Sequence, residues 1–171
     1  MKDRTKRALT WIAIAVILAP FIVYAFPQVV GASESYVVLS GSMEPAIKVG
    51  SIVVVSEATS GSIEEGDIIT YKDSSWTQEN PSLTTHRVVN IETEQSKAYF
   101  ETKGDANEDP DPSLVSENRV VGRVMFSIPF IGYILSWAGS TIGMIILLFV
   151  PAALIIINES MKIKKELEKD E

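Results

Sequence analysis

Gly50-Ser51-Ile52-Val53-Val54-Val55 is the stretch on which the fold depends. Four β-branched residues follow a glycine, and such side chains are stiff in a helix but suit a pleated surface. The run is short and bounded by a turn residue, so it reads as a strand. The same reading recurs outward from it: Tyr36-Val37-Val38-Leu39 before, then Asp67-Ile68-Ile69-Thr70-Tyr71, Arg87-Val88-Val89-Asn90-Ile91, Ala98-Tyr99-Phe100-Glu101-Thr102 and Arg119-Val120-Val121-Gly122-Arg123-Val124. Loops rich in Ser, Gly, Asn and Pro separate these runs, and none sustains a 3.6-residue stripe. A mainly β domain is expected over residues 31–130, a compact, partly closed sheet of about six strands.

Hydrophobic stretches lie on both sides of this domain. From Ala8 to Ser33 there is no charged residue, and the run to Phe26 is long enough to cross about 30 Å of hydrocarbon. A cleaved signal peptide is the alternative, with Val30-Gly31-Ala32 as a small-residue site, but the apolar run exceeds the roughly 7–15 residues of a signal core. A second uncharged stretch runs from Val124 to Asn158 and is apolar all round, unlike a soluble helix with its polar face. Pro151 within it is tolerable in a membrane helix. The expected organisation is a cytoplasmic segment 1–7, a transmembrane helix 8–30, the β domain 31–130, a second transmembrane helix 131–157 and a charged tail 158–171. Lys2, Arg4, Lys6 and Arg7 precede the first helix and Lys162, Lys164 and Lys165 follow the second. Positive flanks stay cytoplasmic, so both termini are expected inside and the β domain outside.

Charge and composition exclude several function classes. The net charge is −7, and residues 31–130 carry seven basic against sixteen acidic side chains, which argues against nucleic-acid binding. Cysteine is absent, so disulfides, thiol nucleophiles and cysteine-ligated metals are excluded. A single histidine also excludes a histidine-rich metal site.

That histidine is His86, in Leu83-Thr84-Thr85-His86-Arg87-Val88-Val89. Upstream lies the turn Ser40-Gly41-Ser42-Met43-Glu44-Pro45, where glycine permits unusual backbone angles and proline stiffens the exit. Downstream lies the acidic loop Gly104-Asp105-Ala106-Asn107-Glu108-Asp109-Pro110-Asp111-Pro112. Taken singly, these read as a turn serine, an ordinary histidine and a solvated or weakly calcium-binding loop. The loop lacks the spacing and terminal glutamate of a calcium loop. Taken together, they are the parts of a hydroxyl nucleophile with its base and orienter.

The strings Val38-Leu39-Ser40-Gly41-Ser42-Met43-Glu44-Pro45, Gly66-Asp67-Ile68-Ile69-Thr70-Tyr71, His86-Arg87-Val88 and Lys103-Gly104-Asp105-Ala106-Asn107 resemble, in order, the motif boxes of type I signal peptidases. The resemblance covers roughly residues 36 to 130 and extends to the anchored arrangement. It is to the histidine branch, found in the endoplasmic reticulum, archaea and some spore-forming bacteria; the common bacterial branch has lysine in the third box. A histidine base needs less pKa adjustment than lysine to work near neutrality. The resemblance implies Ser42 as nucleophile, His86 as general base and Asp111 as its orienter. Asp105 is then a supporting acid, with the two aspartates open to exchange. It also implies Ser40 as a hydroxyl donor to the oxyanion, beside the Ser42 backbone N–H. Ala106 departs from the family's usual asparagine.

The resemblance further implies a membrane-bound serine endopeptidase that cuts N-terminal signal peptides from secretory preproteins after a small-x-small site, without cofactor or metal. Its partners would be the preprotein and the lipid bilayer, with no nucleic acid; accessory subunits are not readable. An extended substrate would pair with a strand edge, and Met43, Val37, Ile68 and Tyr71 are candidates for lining its pockets. Trp76, in the polar loop 72–80, reads either as an interfacial residue or as a pin in its own domain. A non-catalytic anchored β domain that binds partner proteins, and a peptidase serving a few dedicated substrates, are the competing readings.

Overall fold

The computed structural model describes residues 2–79 and 81–167. Helix α1 (Lys2–Ala25) is followed by a 3-10 turn at Pro27–Val30. Then come β1 (Glu34–Val37), β2 (Ile52–Ser56), β3 (Ile68–Lys72), β4 (Leu83–Glu94), β5 (Lys97–Lys103), β6 (Val115–Ser116) and β7 (Val120–Ile128). Helices α2 (Ile131–Ala138) and α3 (Thr141–Leu167) complete the chain.

The seven strands form one sheet in the order β1-β2-β7-β3-β4-β5-β6, antiparallel throughout. The domain is mainly β, as expected, with one strand more than the six read from the sequence. The extra strand, β6, is two residues long, too short for a period-two pattern to register. The sheet is open, with β1 and β6 as its edges, rather than partly closed. Register shifts between Val54 and Val55, Thr70 and Tyr71, and Val88 and Asn90 bend it.

Period-two alternation gives the sheet two apolar faces. On one, Ile63, Ile69, Tyr71, Val88, Phe100 and Val115 pack together. On the other, Met43, Ile47, Val53 and Val55 form a cluster that Ile68 and Val124 join. Met43 and Ile47 belong to the long β1–β2 connection, and the Ile47 N–H donates to the Met43 carbonyl at 2.8 Å. This pair of plugs fastens the serine turn to the sheet.

Helix α1 is long and apolar enough to cross a membrane over Arg4–Ala25, with a mean hydropathy of 2.3. It stops short of the expected residue 30, because Pro27 has no N–H to continue the ladder and restricts the residue before it. In the second hydrophobic stretch, among the described residues, α2 and Thr141–Val150 together reach the length and hydropathy of a span and are bent by 77° at Gly139-Ser140. A continuous second helix from residue 131 is therefore not what this stretch forms. The helix break falls where the sequence places a glycine and a serine, both poor helix formers. Residues up to Gly132 and from Tyr133 onward make two compact units.

Candidate active site

Three neighbouring strands aim side chains at one place. Ile69 on β3 is opposite His86 on β4, and Val88 on β4 is opposite Thr102 on β5. Because residues two apart share a face, Tyr71, His86 and Thr102 all project from the same side of the sheet. The β5–β6 loop folds back over that side. Its return is pinned by the Asp111 N–H, which donates to the Thr102 carbonyl at 2.7 Å. The acidic side chain of Asp111 thus arrives at the end of His86.

His86 Nδ1 lies 2.6 Å from Asp111 Oδ2, and His86 Nε2 lies 3.0 Å from Ser42 Oγ. The histidine is only 7% exposed, so water does not compete freely for either nitrogen. A carboxylate only accepts, so Nδ1 carries the proton and Nε2 offers its lone pair to the serine hydroxyl. Asp111 Oδ2 also accepts from Thr102 Oγ1 at 2.6 Å and from the Tyr71 hydroxyl at 2.9 Å. Burial alone would raise the Asp111 pKa. The hydrogen bonds from His86, Thr102 and Tyr71 outweigh burial and hold it below the ordinary carboxylate value. Tyr71 is pushed the other way, chiefly by burial and also by its bond to Asp111, so its hydroxyl remains a donor.

Asp105 stands apart from this relay. It accepts from Arg87 Nε at 2.8 Å and from Arg87 Nη2 at 2.6 Å, while Arg87 Nη1 donates to the Gly66 carbonyl at 2.8 Å. Bidentate pairing of this kind fixes geometry as well as charge. It braces the loop that touches the serine turn, where the Ala106 N–H donates to the Ser42 carbonyl at 2.9 Å. Gly104 is needed for this approach, since a Cβ there would lie 2.6 Å from the Ser42 carbonyl oxygen. The contact uses the backbone of residue 106, which explains why alanine serves there. Of the two aspartates left open to exchange, Asp111 faces the imidazole and Asp105 faces Arg87.

The Ser40 hydroxyl is 3.3 Å from Ser42 Oγ on the exposed side. A cleft of about 570 Å³ opens beside the serine, with Val37 to Ser40 and Met43 on one flank and Pro81 and Leu83 to His86 on the other. Of the four candidate pocket residues, Val37 and Met43 line this cleft. Ile68 instead packs with the Met43 cluster, and Tyr71 faces Asp111. The sequence reading did not single out Thr102, Arg87 or the Leu83–Thr85 wall. A threonine two residues before Gly104 gives no sign by itself of being fully buried, and Arg87 was seen only as part of the histidine box. Trp76 is half-buried, and the Lys72 ammonium sits 4.4 Å above its ring.

No family model matches the chain. Similarity to individual proteins is clear. The chain is 39% identical over 84 residues to signal peptidase I W of Bacillus subtilis, a match covering 48% of this chain and 42% of that protein. It is 34% identical over 110 residues to the dog signal peptidase complex catalytic subunit SEC11C, covering 60% of this chain and 55% of the relative. It is 32% identical over 130 residues to the corresponding subunit SEC11 of Yarrowia lipolytica, covering 70% and 73%. The match thus spans about half the length of the Bacillus and dog relatives, and nearly three quarters of the Yarrowia one.

Proposed function

The chain belongs to the signal peptidase family, and from that premise we propose that it is a membrane-anchored serine endopeptidase that removes N-terminal signal peptides from secretory preproteins. The observation that carries the reading is the continuous relay Ser42 Oγ to His86 Nε2, 3.0 Å, and His86 Nδ1 to Asp111 Oδ2, 2.6 Å.

In the proposed reaction Ser42 Oγ attacks the scissile carbonyl carbon while its proton passes to His86 Nε2. Asp111 holds the ring in the required tautomer and stabilises the imidazolium. The negative charge that forms on the carbonyl oxygen is met by the Ser42 N–H and the Ser40 hydroxyl. His86 then gives its proton to the departing amine, leaving the signal peptide as an ester on Ser42. Water attacks this ester, its proton goes to His86, and collapse frees the new carboxyl end and restores the serine.

An extended substrate would enter the cleft along Val37–Ser40, with the small side chains near the cut placed against Val37 and Met43. The residues lining the cleft include no lysine, arginine, aspartate or glutamate, which suits small uncharged side chains. The proposed topology keeps both termini cytoplasmic, with α1 as one anchor and the 131–157 stretch as a second. The domain at 31–130 then meets preproteins on the far side of the bilayer. Sharing a membrane raises the local substrate concentration.

The test is cleavage of a preprotein panel by the full chain in liposomes, with cut sites mapped by mass spectrometry. Cuts after small-x-small sites, abolished when either small residue is replaced by a bulky one, are the expected result. Folded protein that cuts none of the panel would overturn the reading.

A further inference from the structure

We propose that Tyr71 and Thr102 are positioning residues that act through Asp111, two neutral hydroxyls clamping the oxygen that orients His86. The inference rests on the peptidase reading for its kinetic consequence, though not for its structural one.

Three donors meet one atom. Asp111 Oδ2 accepts from His86 Nδ1 at 2.6 Å, from Thr102 Oγ1 at 2.6 Å and from the Tyr71 hydroxyl at 2.9 Å. They come from three adjacent strands, β4, β5 and β3, so the atom is fixed from three directions by the sheet. Thr102 is fully buried and Tyr71 is 5% exposed, so water does not compete freely for either hydroxyl. The Thr102 and Tyr71 oxygens are themselves 3.2 Å apart. The Tyr71 ring also stands edge-on to the imidazole, with centroids 6.5 Å apart and planes at 69°. One tyrosine therefore touches both the base and its orienter.

Asp111 belongs to a loop, and a loop carboxylate would swing unless held. Its backbone is fastened at residue 102, and the same residue's side chain fastens its oxygen. The clamp does two things. It keeps Oδ2 where Nδ1–H can donate, so that Nε2 faces Ser42. It also spreads the carboxylate's charge over two further hydrogen bonds, moderating its hold on an imidazolium. His86 and Tyr71 are the titratable groups bonded to Asp111. Asp73 bears on Tyr71 from the end of β3, and Arg87 and Asp105 are engaged with each other.

The single histidine makes the test direct, because ring nitrogen-15 signals from histidine-labelled full chain in detergent report His86 alone. The variants are Tyr71→Phe, which removes one oxygen and keeps the ring, Thr102→Val, and Thr102→Ser as the conservative rescue. In the wild type the Nδ1–H tautomer dominates at neutral pH. Tyr71→Phe and Thr102→Val each shift the population toward the other tautomer, and Thr102→Ser restores the wild-type spectrum. Against a preprotein, each of the first two lowers kcat about tenfold with KM unchanged. An unchanged tautomer balance in both variants overturns the proposal, as does Thr102→Ser behaving like Thr102→Val. The spectrum needs no substrate, so a wild type that fails to cut would count against the peptidase reading while leaving the clamp to be decided by the tautomer.

Discussion

At the scale of single residues, the two aspartates make opposite predictions. Asp111→Asn replaces an acceptor by a group that also donates, so His86 loses its reason to keep the proton on Nδ1. Activity should fall by about 10³-fold or more while the fold persists, measured as kcat on a preprotein beside a thermal unfolding curve. Asp105→Asn instead breaks the bidentate pair with Arg87. It should cost about 1–3 kcal/mol of stability and lower activity less than Asp111→Asn does. An Asp105→Asn variant more crippled than Asp111→Asn in kcat, at equal folding, would reverse the assignment.

The depressed pKa of Asp111 also sets a pH window. A carboxyl whose folded value lies below its unfolded one contributes stability above the unfolded value, about 3.9 for aspartate. That contribution disappears as pH falls through the lower folded value. The melting-temperature gap between wild type and Asp111→Asn should therefore be full at pH 5 and above and shrink below about pH 4. A gap that widens on acidification would mean that the folded carboxyl is not held ionised.

Among the elements, the β1–β2 connection and the β5–β6 loop matter most, since they bring the serine and the aspartate to a histidine on a central strand. Gly104→Ala tests their contact: the added carbon meets the Ser42 carbonyl at 2.6 Å. The turn should shift, and kcat should fall at least about tenfold with little loss in melting temperature. Much of this arrangement was legible in the sequence. The strand runs were visible through β-branching, and Ser42, His86 and the acidic loop through their order. What was not legible is how the elements cross. Nothing local in Ala98–Thr102 tells that Thr102 faces Asp111, because that follows from the Val88–Thr102 register. Tyr71 reads from the sequence as a candidate for lining a pocket. The alternation of β3 sends its side chain, like that of Ile69, to the His86 side of the sheet, away from Ile68. The helix break at Gly139-Ser140 was hidden for a related reason: a uniformly apolar stretch has no polar face whose phase could reveal a change of axis.

For the whole molecule, stability rests on the sheet, and the proposed location on the hydrophobic ends. Phe100, fully buried, anchors one apolar face. Phe100→Ala should cost about 3–5 kcal/mol and is checked by denaturant titration in detergent. The absence of native cysteine makes topology directly measurable. In sealed liposomes or cells, Thr93→Cys in the β domain should react with an impermeant maleimide added from outside, and Asp3→Cys should not. Equal labelling of both would contradict the proposed orientation.

The most direct test of the central claim is cleavage of one purified preprotein by the full chain in liposomes, with Ser42→Ala, His86→Ala and Asp111→Asn run in parallel. The account predicts a single cut by the wild type after a small-x-small site, and loss of that cut in all three variants while each remains folded. A folded Ser42→Ala protein that cuts at the wild-type rate would contradict it.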